Sequence, residues 1–250
     1  EILVKQIFII SLALLLWPVT SLATSGGDAD YHIDVDTSDV RSLQRGARIF
    51  VNYCMGCHSA SYMRYNRLGQ DLDISESILR QNFMFGTEKT GSTMEIAMRK
   101  ADALQFFDVV PPDLSVIARS RGADWLYAYF MSFYSDPSRP FGVNNLTFKD
   151  VAMPHVLWEL QGIQEPVYTT KTQEDGTEVE VVEKLKLDVP GKQKPKEYKK
   201  TIYDLVNFLV YLAEPAKFKR QKIGIWVIVY LLSFLILAYM LKKEYWKDIH

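Results

Sequence analysis

The chain has 250 residues and a formal net charge of −1 at pH 7, from 29 basic and 30 acidic side chains. Two long apolar segments lie near its ends, and the roughly 190 residues between them are enough for one domain with a proper core. The sequence shows no basic stripe, which argues against a nucleic-acid partner.

The first apolar segment runs from Ile7 to Leu16, after Lys5 and before Pro18 and the small-residue stretch 21–23. This order is typical of a secretory signal peptide, which we predict to span residues 1–23 and to be cleaved after Ala23. The alternative is an uncleaved anchor, but the run is short for a membrane span of about 20 residues. The predicted exported domain therefore covers residues 24–222.

This exported part is acidic, because residues 24–215 contain 27 Asp and Glu against 21 Lys and Arg. Five aspartates precede its first basic residue: Asp28, Asp30, Asp34, Asp36 and Asp39. Long-range charge of this kind can steer a basic partner towards the domain. The other interpretation is a solvated leader without a binding role, and the sequence leaves both open.

Residues 54–58, Cys-Met-Gly-Cys-His, are the most informative stretch, because C-x-x-C-H is the attachment signature of a c-type haem. Each of the two thiols can add to one vinyl group of a porphyrin, and the adjacent imidazole then becomes the proximal iron ligand. The motif predicts one haem c, bound covalently through Cys54 and Cys57, with His58 on the iron.

Two other uses of a C-x-x-C pair compete with haem attachment. A zinc site would need further ligands, yet His32, His155 and His250 do not lie at finger-like spacing. A redox dithiol would need a βαβ context, which is not visible around Cys54, and would leave His58 unexplained. Haem attachment is the better prediction, and it would leave no thiol for an internal disulfide.

Three amphipathic helices are predicted in the exported part. The first runs through residues 40–50, with Ser38 as its N-cap and Gly46 as a place where another helix can cross closely. The second covers residues 123–132, and the third has apolar residues at helical spacing over 202–210. Together they predict a mainly α fold, a class I-like cytochrome c domain with long loops.

Residues 167–200 depart from this helical pattern. Two β-prone runs, 167–170 and 179–182, flank an Asp-Gly turn at 175–176, which predicts a β-hairpin insertion. Lysines dominate residues 192–200. The segment is either a solvated excursion from the helical core or a contact with a neighbouring subunit or lipid.

A haem electron carrier usually fills both axial positions of the iron, so a second ligand is needed. Methionines outside the motif, its flank and the C-terminal apolar run are Met84, Met94, Met98, Met131 and Met153. Met153 lies in a downstream loop where Pro154 fixes the following backbone. The neutral imidazole of His155 would also ligate iron, so residue chemistry favours Met153 without eliminating His155.

The second apolar segment, 223–241, has 19 residues without a charge and is long enough to cross a bilayer. It is apolar on every face, has Trp226 and Tyr239 near its ends and is bracketed by lysines, which favours a transmembrane helix over a core helix. Flanking charges do not settle its orientation. The export signal places the domain in the periplasm and the tail, 242–250, in the cytoplasm of a bacterium, with a single pass through the inner membrane.

These segments together resemble the cytochrome c1 family of bacterial type, the haem subunits of the quinol–cytochrome c reductase (cytochrome bc1) complex. The resemblance covers nearly the whole chain. It rests on GARIFVNYCMGCH at 46–58, PPDLS at 111–115, ARSRGADWLYAYF at 118–130, VAMP at 151–154, DLVNFLVYLAEP at 204–215 and KKEYW at 242–246. The hairpin is longer than expected in mitochondrial relatives, so their subunit contacts are not transferred to residues 167–200.

The resemblance implies further site residues. It makes Met153 the axial ligand, brings the loop containing Pro112 close to the haem, and places Arg121 at a haem propionate. A helix cap on the surface is the alternative role for Arg121. His155 is then expected to make an ordinary hydrogen bond.

By the same resemblance, the chain relays single electrons from the Rieske iron–sulfur protein to a soluble or tethered c-type cytochrome. Its implied partners are cytochrome b and the Rieske protein, in a complex expected to be dimeric. One haem signature and no flavin or nucleotide motif make it an electron-transfer subunit that does not oxidise quinol alone. The alternatives are a membrane-tethered cytochrome c serving a terminal oxidase or another dehydrogenase, and a non-haem interaction subunit.

Overall fold

The computed structural model describes residues 31–172 and 177–248. The predicted signal peptide, 1–23, and the first two aspartates of the acidic segment lie outside the described residues. Within the described ranges the helices are α1 Val40–Ile49, α2 Tyr65–Asp71, α3 Glu76–Asn82, α4 Lys100–Phe107, α5 Ile117–Arg121, α6 Ala123–Met131, α7 Trp158–Gln161, α8 Pro195–Ala213 and α9 Lys217–Tyr245. The strands are β1 Ala60–Arg64, β2 Thr93–Met94, β3 Phe133–Ser135, β4 Val143–Asn145, β5 Gly162–Thr172 and β6 Glu178–Pro190. The strands form only three two-stranded antiparallel sheets in the described ranges. Because most of the regular structure is helical, the predicted mainly α fold is confirmed.

Helices α1 and α8 pack together at the centre of the domain, and Gly46 is where they approach most closely. A β-carbon at this position would lie 2.1 Å from the backbone oxygen of Asp204 and 2.6 Å from Cβ of Phe208. The buried Asp204 carboxylate also accepts hydrogen bonds from Ser42 at 2.7 Å and from Arg45 at 2.6 Å. The predicted close crossing at Gly46 is therefore confirmed.

The N-cap of α1 differs from the prediction. The Asp39 carboxylate accepts the backbone N–H of Ser42 at 3.0 Å and caps the helix, whereas both polar groups of Ser38 donate to Asp36. The prediction of Ser38 is wrong, because the residue directly before the helix is Asp39, and an aspartate caps a helix as well as a serine does.

The described part of the acidic segment is packed onto the domain by hydrogen bonds. The N–H of Ile33 donates to Asp124 of α6 at 2.9 Å, Tyr203 donates to the carbonyl of Asp34 at 3.0 Å, and Asn207 donates to the carbonyl of Asp36 at 2.7 Å. The backbone of residues 33–36 is thus tied to α6 and α8, while the carboxylates of the aspartates in this stretch lie on exposed residues.

The two strands of the predicted hairpin are present and are longer than the sequence pattern suggested, while the predicted Asp-Gly turn at 175–176 lies outside the described residues. Strands β5 and β6 pair in antiparallel register from Gly162↔Pro190 to Thr172↔Glu178, with two irregularities. Its base is attached to the helical core, where Gln164 donates to the carbonyls of Met131 at 3.0 Å and Phe133 at 2.8 Å. The last three lysines of the 167–200 segment, Lys196, Lys199 and Lys200, do not belong to the hairpin but lie in the first turns of α8.

Helix α9 follows α8 after a break at Glu214 and Pro215. Residues 219–245 contain an 18-residue apolar window with a mean hydropathy of 2.4, none of it buried against the domain, and α9 is the one helix in the described ranges that could span a membrane. This agrees with the predicted C-terminal transmembrane anchor.

Candidate haem site

Helix α1 continues into a π-helical turn, Phe50–Cys54, and the C-x-x-C-H motif begins at the last residue of that turn. The N–H of Met55 bonds to the carbonyl of Phe50 at 3.0 Å, and the N–H groups of Cys57 and His58 both bond to the carbonyl of Cys54, at 3.0 and 2.9 Å. Single π turns inside helices occur often at functional sites. Here the widened turn ends at the first cysteine, and a tight turn brings the rest of the motif next to it.

No disulfide joins the two cysteines of the described residues, and Cys54 is buried at 4% exposure while Cys57 is half-buried. Burial, followed by the charge of Cys57, raises the pKa of Cys54 to about 12, and burial also raises the pKa of Cys57. Reactive dithiols require the opposite shift, since the thiolate is the nucleophile. No group of three or more metal-ligating side chains occurs in the described residues. Neither the redox-dithiol nor the zinc alternative gains support.

His58 is buried, at 9% exposure, and its ring is oriented by the carbonyl of Pro112, which lies 2.7 Å from Nδ1. A carbonyl can only accept, so Nδ1 carries the proton and the lone pair is on Nε2. Burial lowers the pKa of His58 despite the opposing hydrogen bond. The side chain therefore stays a neutral imidazole at pH 7, the form that ligates iron.

The Met153 side chain is half-buried, and its sulfur is contacted by a hydroxyl that the sequence did not point to. Tyr129 on α6 lies with Oη 3.4 Å from Sδ of Met153. The Tyr129 ring stacks on Trp125, with ring centres 5.1 Å apart, and meets Phe133 edge-on at 5.1 Å. Burial raises the pKa of Tyr129 far above its ordinary value, so it remains a neutral donor to the sulfur.

The competing ligand, His155, packs with its ring against an aromatic side chain. Its ring stacks on Phe133 with centres 4.8 Å apart and planes 5° from parallel, and burial lowers its pKa to about 4, partly offset by the Gln161 side chain. Among the described residues its buried Nε2 has no hydrogen-bond partner, so the expected ordinary hydrogen bond is not formed at that atom. Met153 and Tyr129 are in direct contact, whereas His155 packs against an aromatic ring.

Arg121 ends α5, and its guanidinium lies over two aromatic rings. The distances are 4.9 Å to the ring centre of Trp125 and 5.8 Å to that of Phe148. Trp125 in turn stacks on Tyr129, which contacts Met153. This links Arg121 to the Met153 side of the site, and it shows a cation–π contact that the sequence did not predict.

A c-type haem with His and Met ligands requires two thiols for attachment, an imidazole with an unprotonated Nε2 and a thioether sulfur, and the chain supplies all of these groups.

Comparison with known proteins identifies the family of this chain. Residues 31–249 match the cytochrome C1 family. The chain belongs to the cytochrome c1 family. As a member of that family it is a membrane-anchored c-type haem protein of electron transport, of the kind found in the cytochrome bc1 complex.

Three relatives illustrate the range of the cytochrome c1 similarity. Cytochrome c1 of Allochromatium vinosum is 48% identical over 242 residues, covering 97% of this chain and 98% of that protein. A protein of Nitrosomonas europaea named ammonia monooxygenase gamma subunit is 47% identical over 249 residues, covering 98% of this chain and 100% of that protein. The mitochondrial cytochrome c1 of Neurospora crassa is 25% identical over 235 residues, covering 84% of this chain and 63% of that protein.

Proposed function

We propose that the chain carries one haem c, attached by thioether bonds to Cys54 and Cys57 and ligated by His58 and Met153. The observation that carries this proposal is the 2.7 Å contact between Nδ1 of His58 and the Pro112 carbonyl, in the residue that directly follows the C-x-x-C pair. Hydrogen bonding of Nδ1 fixes the tautomer and ring orientation of a metal-ligating histidine and raises its basicity. The haem supplies a one-electron change between ferric and ferrous iron.

The other site residues adjust this electron carrier. Tyr129 holds the Met153 sulfur through the 3.4 Å contact, and the aromatic rings around Tyr129 keep the hydroxyl in place. We assign the Arg121 guanidinium to a haem propionate, a charge-assisted contact that is compatible with its stacking on Trp125. Pro112 contributes its carbonyl to His58.

In the complex, the proposed role is to relay single electrons from the Rieske protein to a soluble or tethered c-type cytochrome. The proposed layout is a signal peptide at 1–23, a periplasmic domain at 24–222, a transmembrane helix at 223–241 and a cytoplasmic tail at 242–250 in the bacterial inner membrane. The acidic charge of the domain suits a basic acceptor cytochrome. We further propose that the assembled complex is dimeric.

A second candidate role follows from the relative of nearly equal identity that carries a different name, ammonia monooxygenase gamma subunit. In that case the same tethered cytochrome would serve another oxidoreductase. The proposed haem ligands are the same for both roles, so only the partner proteins differ.

Purification of the native protein from its membrane in mild detergent tests the role. We expect a covalently bound haem in this chain and co-purification of cytochrome b and the Rieske protein. Haem without these two subunits, but with those of an ammonia monooxygenase or of a terminal oxidase, would replace the bc1 assignment by the alternative. Absence of bound haem would overturn the function altogether.

A further inference from the structure

We propose that Asp113 is a positioning residue that holds the Pro112 carbonyl against Nδ1 of His58. This inference rests on the proposed ligation of haem iron by His58. Pro112 has no N–H of its own, so its carbonyl must be held in place through the residues that follow it. Asp113 is the next residue, and its side chain reaches back to the strand that directly follows the C-x-x-C-H motif.

The Asp113 carboxylate joins the two segments with both oxygens. Oδ2 accepts the N–H of Ser61 at 3.0 Å and its hydroxyl at 2.6 Å, and Oδ1 accepts the N–H of Ser115 at 2.8 Å. The carboxylate thus accepts three charge-assisted hydrogen bonds, and these are stronger than hydrogen bonds between neutral groups. Burial acts to raise the pKa of Asp113, but the hydrogen bonds from Ser115 and Ser61 together outweigh it and lower the pKa, so the acceptor stays ionised.

Two further hydrogen bonds, each from a backbone N–H, extend the same connection. The N–H of Leu114 donates to the carbonyl of Ser59 at 2.8 Å, and the N–H of Tyr62 donates to the hydroxyl of Ser115 at 3.1 Å. Residues 59–62 and 113–115 therefore lie side by side, fastened at three successive residues of the loop. His58 and Pro112 are the residues immediately before these two segments, so their 2.7 Å contact is fixed by the same connection.

The carboxylate also acts on His58 through its charge. Asp113 directly follows Pro112, so its carboxylate lies one residue from the carbonyl that contacts Nδ1 of His58. A negative charge near the iron stabilises the ferric state relative to the ferrous state, and a firm hydrogen bond at Nδ1 does the same by making the histidine a stronger donor. Loss of either effect would raise the reduction potential.

The test uses four variants of the full chain in its native complex, with redox titration of the haem and EPR spectroscopy of the ferric form as the two readouts. Asp113→Asn removes the charge and one acceptor, and Asp113→Glu keeps the charge but lengthens the side chain. Ser61→Ala removes one donor without changing charge. Asp73→Asn is the charge control, because this exposed aspartate makes no hydrogen bond to the 111–115 loop.

We expect the reduction potential of the haem to rise most in Asp113→Asn and less in Asp113→Glu and Ser61→Ala. All three variants should have altered g-values, whereas Asp73→Asn should change neither the potential nor the g-values. Wild-type potential and g-values in both Asp113→Glu and Ser61→Ala would overturn the positioning role and leave Asp113 a charge only. If Asp113→Asn does not assemble, the potential and g-values of Ser61→Ala decide: altered values support the positioning role, and wild-type values overturn it. Haem staining of the denatured wild-type chain tests the proposed function separately. If that chain carries no covalent haem, both the proposed function and this inference are wrong.

Discussion

The Met153 sulfur and the His155 ring are two residues apart but have different surroundings. Met153 is contacted by the Tyr129 hydroxyl at 3.4 Å, while His155 stacks on Phe133. With Met153 on the iron, Met153→Ala should leave the haem attached but lower its reduction potential, because a thioether stabilises ferrous iron better than water or imidazole does. Redox titration of Met153→Ala and His155→Ala in parallel checks this. An unchanged potential in the first variant with the drop in the second would make His155 the ligand.

Arg121 and Arg119 are two arginines in the last turn of the same short helix, and only Arg121 lies over Trp125. If Arg121 contacts a propionate, Arg121→Gln should lower the reduction potential, because a nearby positive charge favours the ferrous state. Arg119→Gln is the matched control and should leave the potential close to the wild-type value. The opposite pattern would assign the propionate contact to Arg119.

At the scale of residues, the attachment motif and its proximal histidine are predictable because five consecutive residues specify them. The supporting residues are not. Tyr129 and Met153 are 24 positions apart, and Asp113 and Ser61 are 52 apart. Their contacts arise only when α6 meets the 151–154 loop and when the 111–115 loop meets β1, and a local pattern holds no information about either meeting.

At the scale of elements, the crossing of α1 and α8 depends on the missing side chain of Gly46. Gly46→Ala would place a methyl group 2.1 Å from a backbone oxygen that a rotamer change cannot move, so the helices must separate. We expect a loss of about 1–3 kcal/mol in the free energy of unfolding, the usual range for overpacking. Gly91→Ala is the control, since a β-carbon there meets nothing within 4 Å.

Urea unfolding of the detergent-solubilised chain, followed by circular dichroism, measures both variants. Equal stability of Gly46→Ala and Gly91→Ala would mean that the α1–α8 contact is looser than the structure shows.

The close crossing at Gly46 was predictable from one glycine in an apolar helix face. The full length of the hairpin was not predictable, because the additional β6 residues 184–187, Lys-Leu-Lys-Leu, carry a weak β signal. Nor does a local pattern in the sequence mark the π-helical turn after α1.

At the scale of the whole molecule, the acidic balance of residues 24–215 predicts electrostatic steering of a basic acceptor. The Debye length falls from about 30 Å at 0.01 M salt to about 10 Å at 0.1 M, so the second-order rate of electron transfer should fall steeply over that range. If the acidic segment guides docking, the triple variant Asp28→Asn, Asp30→Asn and Asp34→Asn should flatten the salt dependence. Stopped-flow kinetics with the acceptor cytochrome measure this slope.

Two aspartates are left out of that variant because they have structural roles. Asp39 caps α1, and Asp36 accepts hydrogen bonds from Ser38, which lower its pKa. A full salt slope in the triple variant would exclude the segment as the docking site. A flat slope in the wild-type chain would contradict charge steering itself.

The central claim is that this chain holds its haem covalently through Cys54 and Cys57, and haem staining of a denaturing gel tests it most directly. The wild-type chain should keep its haem after full denaturation, because thioether bonds survive unfolding whereas axial ligation does not. The double variant Cys54→Ala, Cys57→Ala should migrate without any haem stain. Haem that stays bound to the denatured double variant, or a wild-type chain that loses its haem on denaturation, would contradict the account.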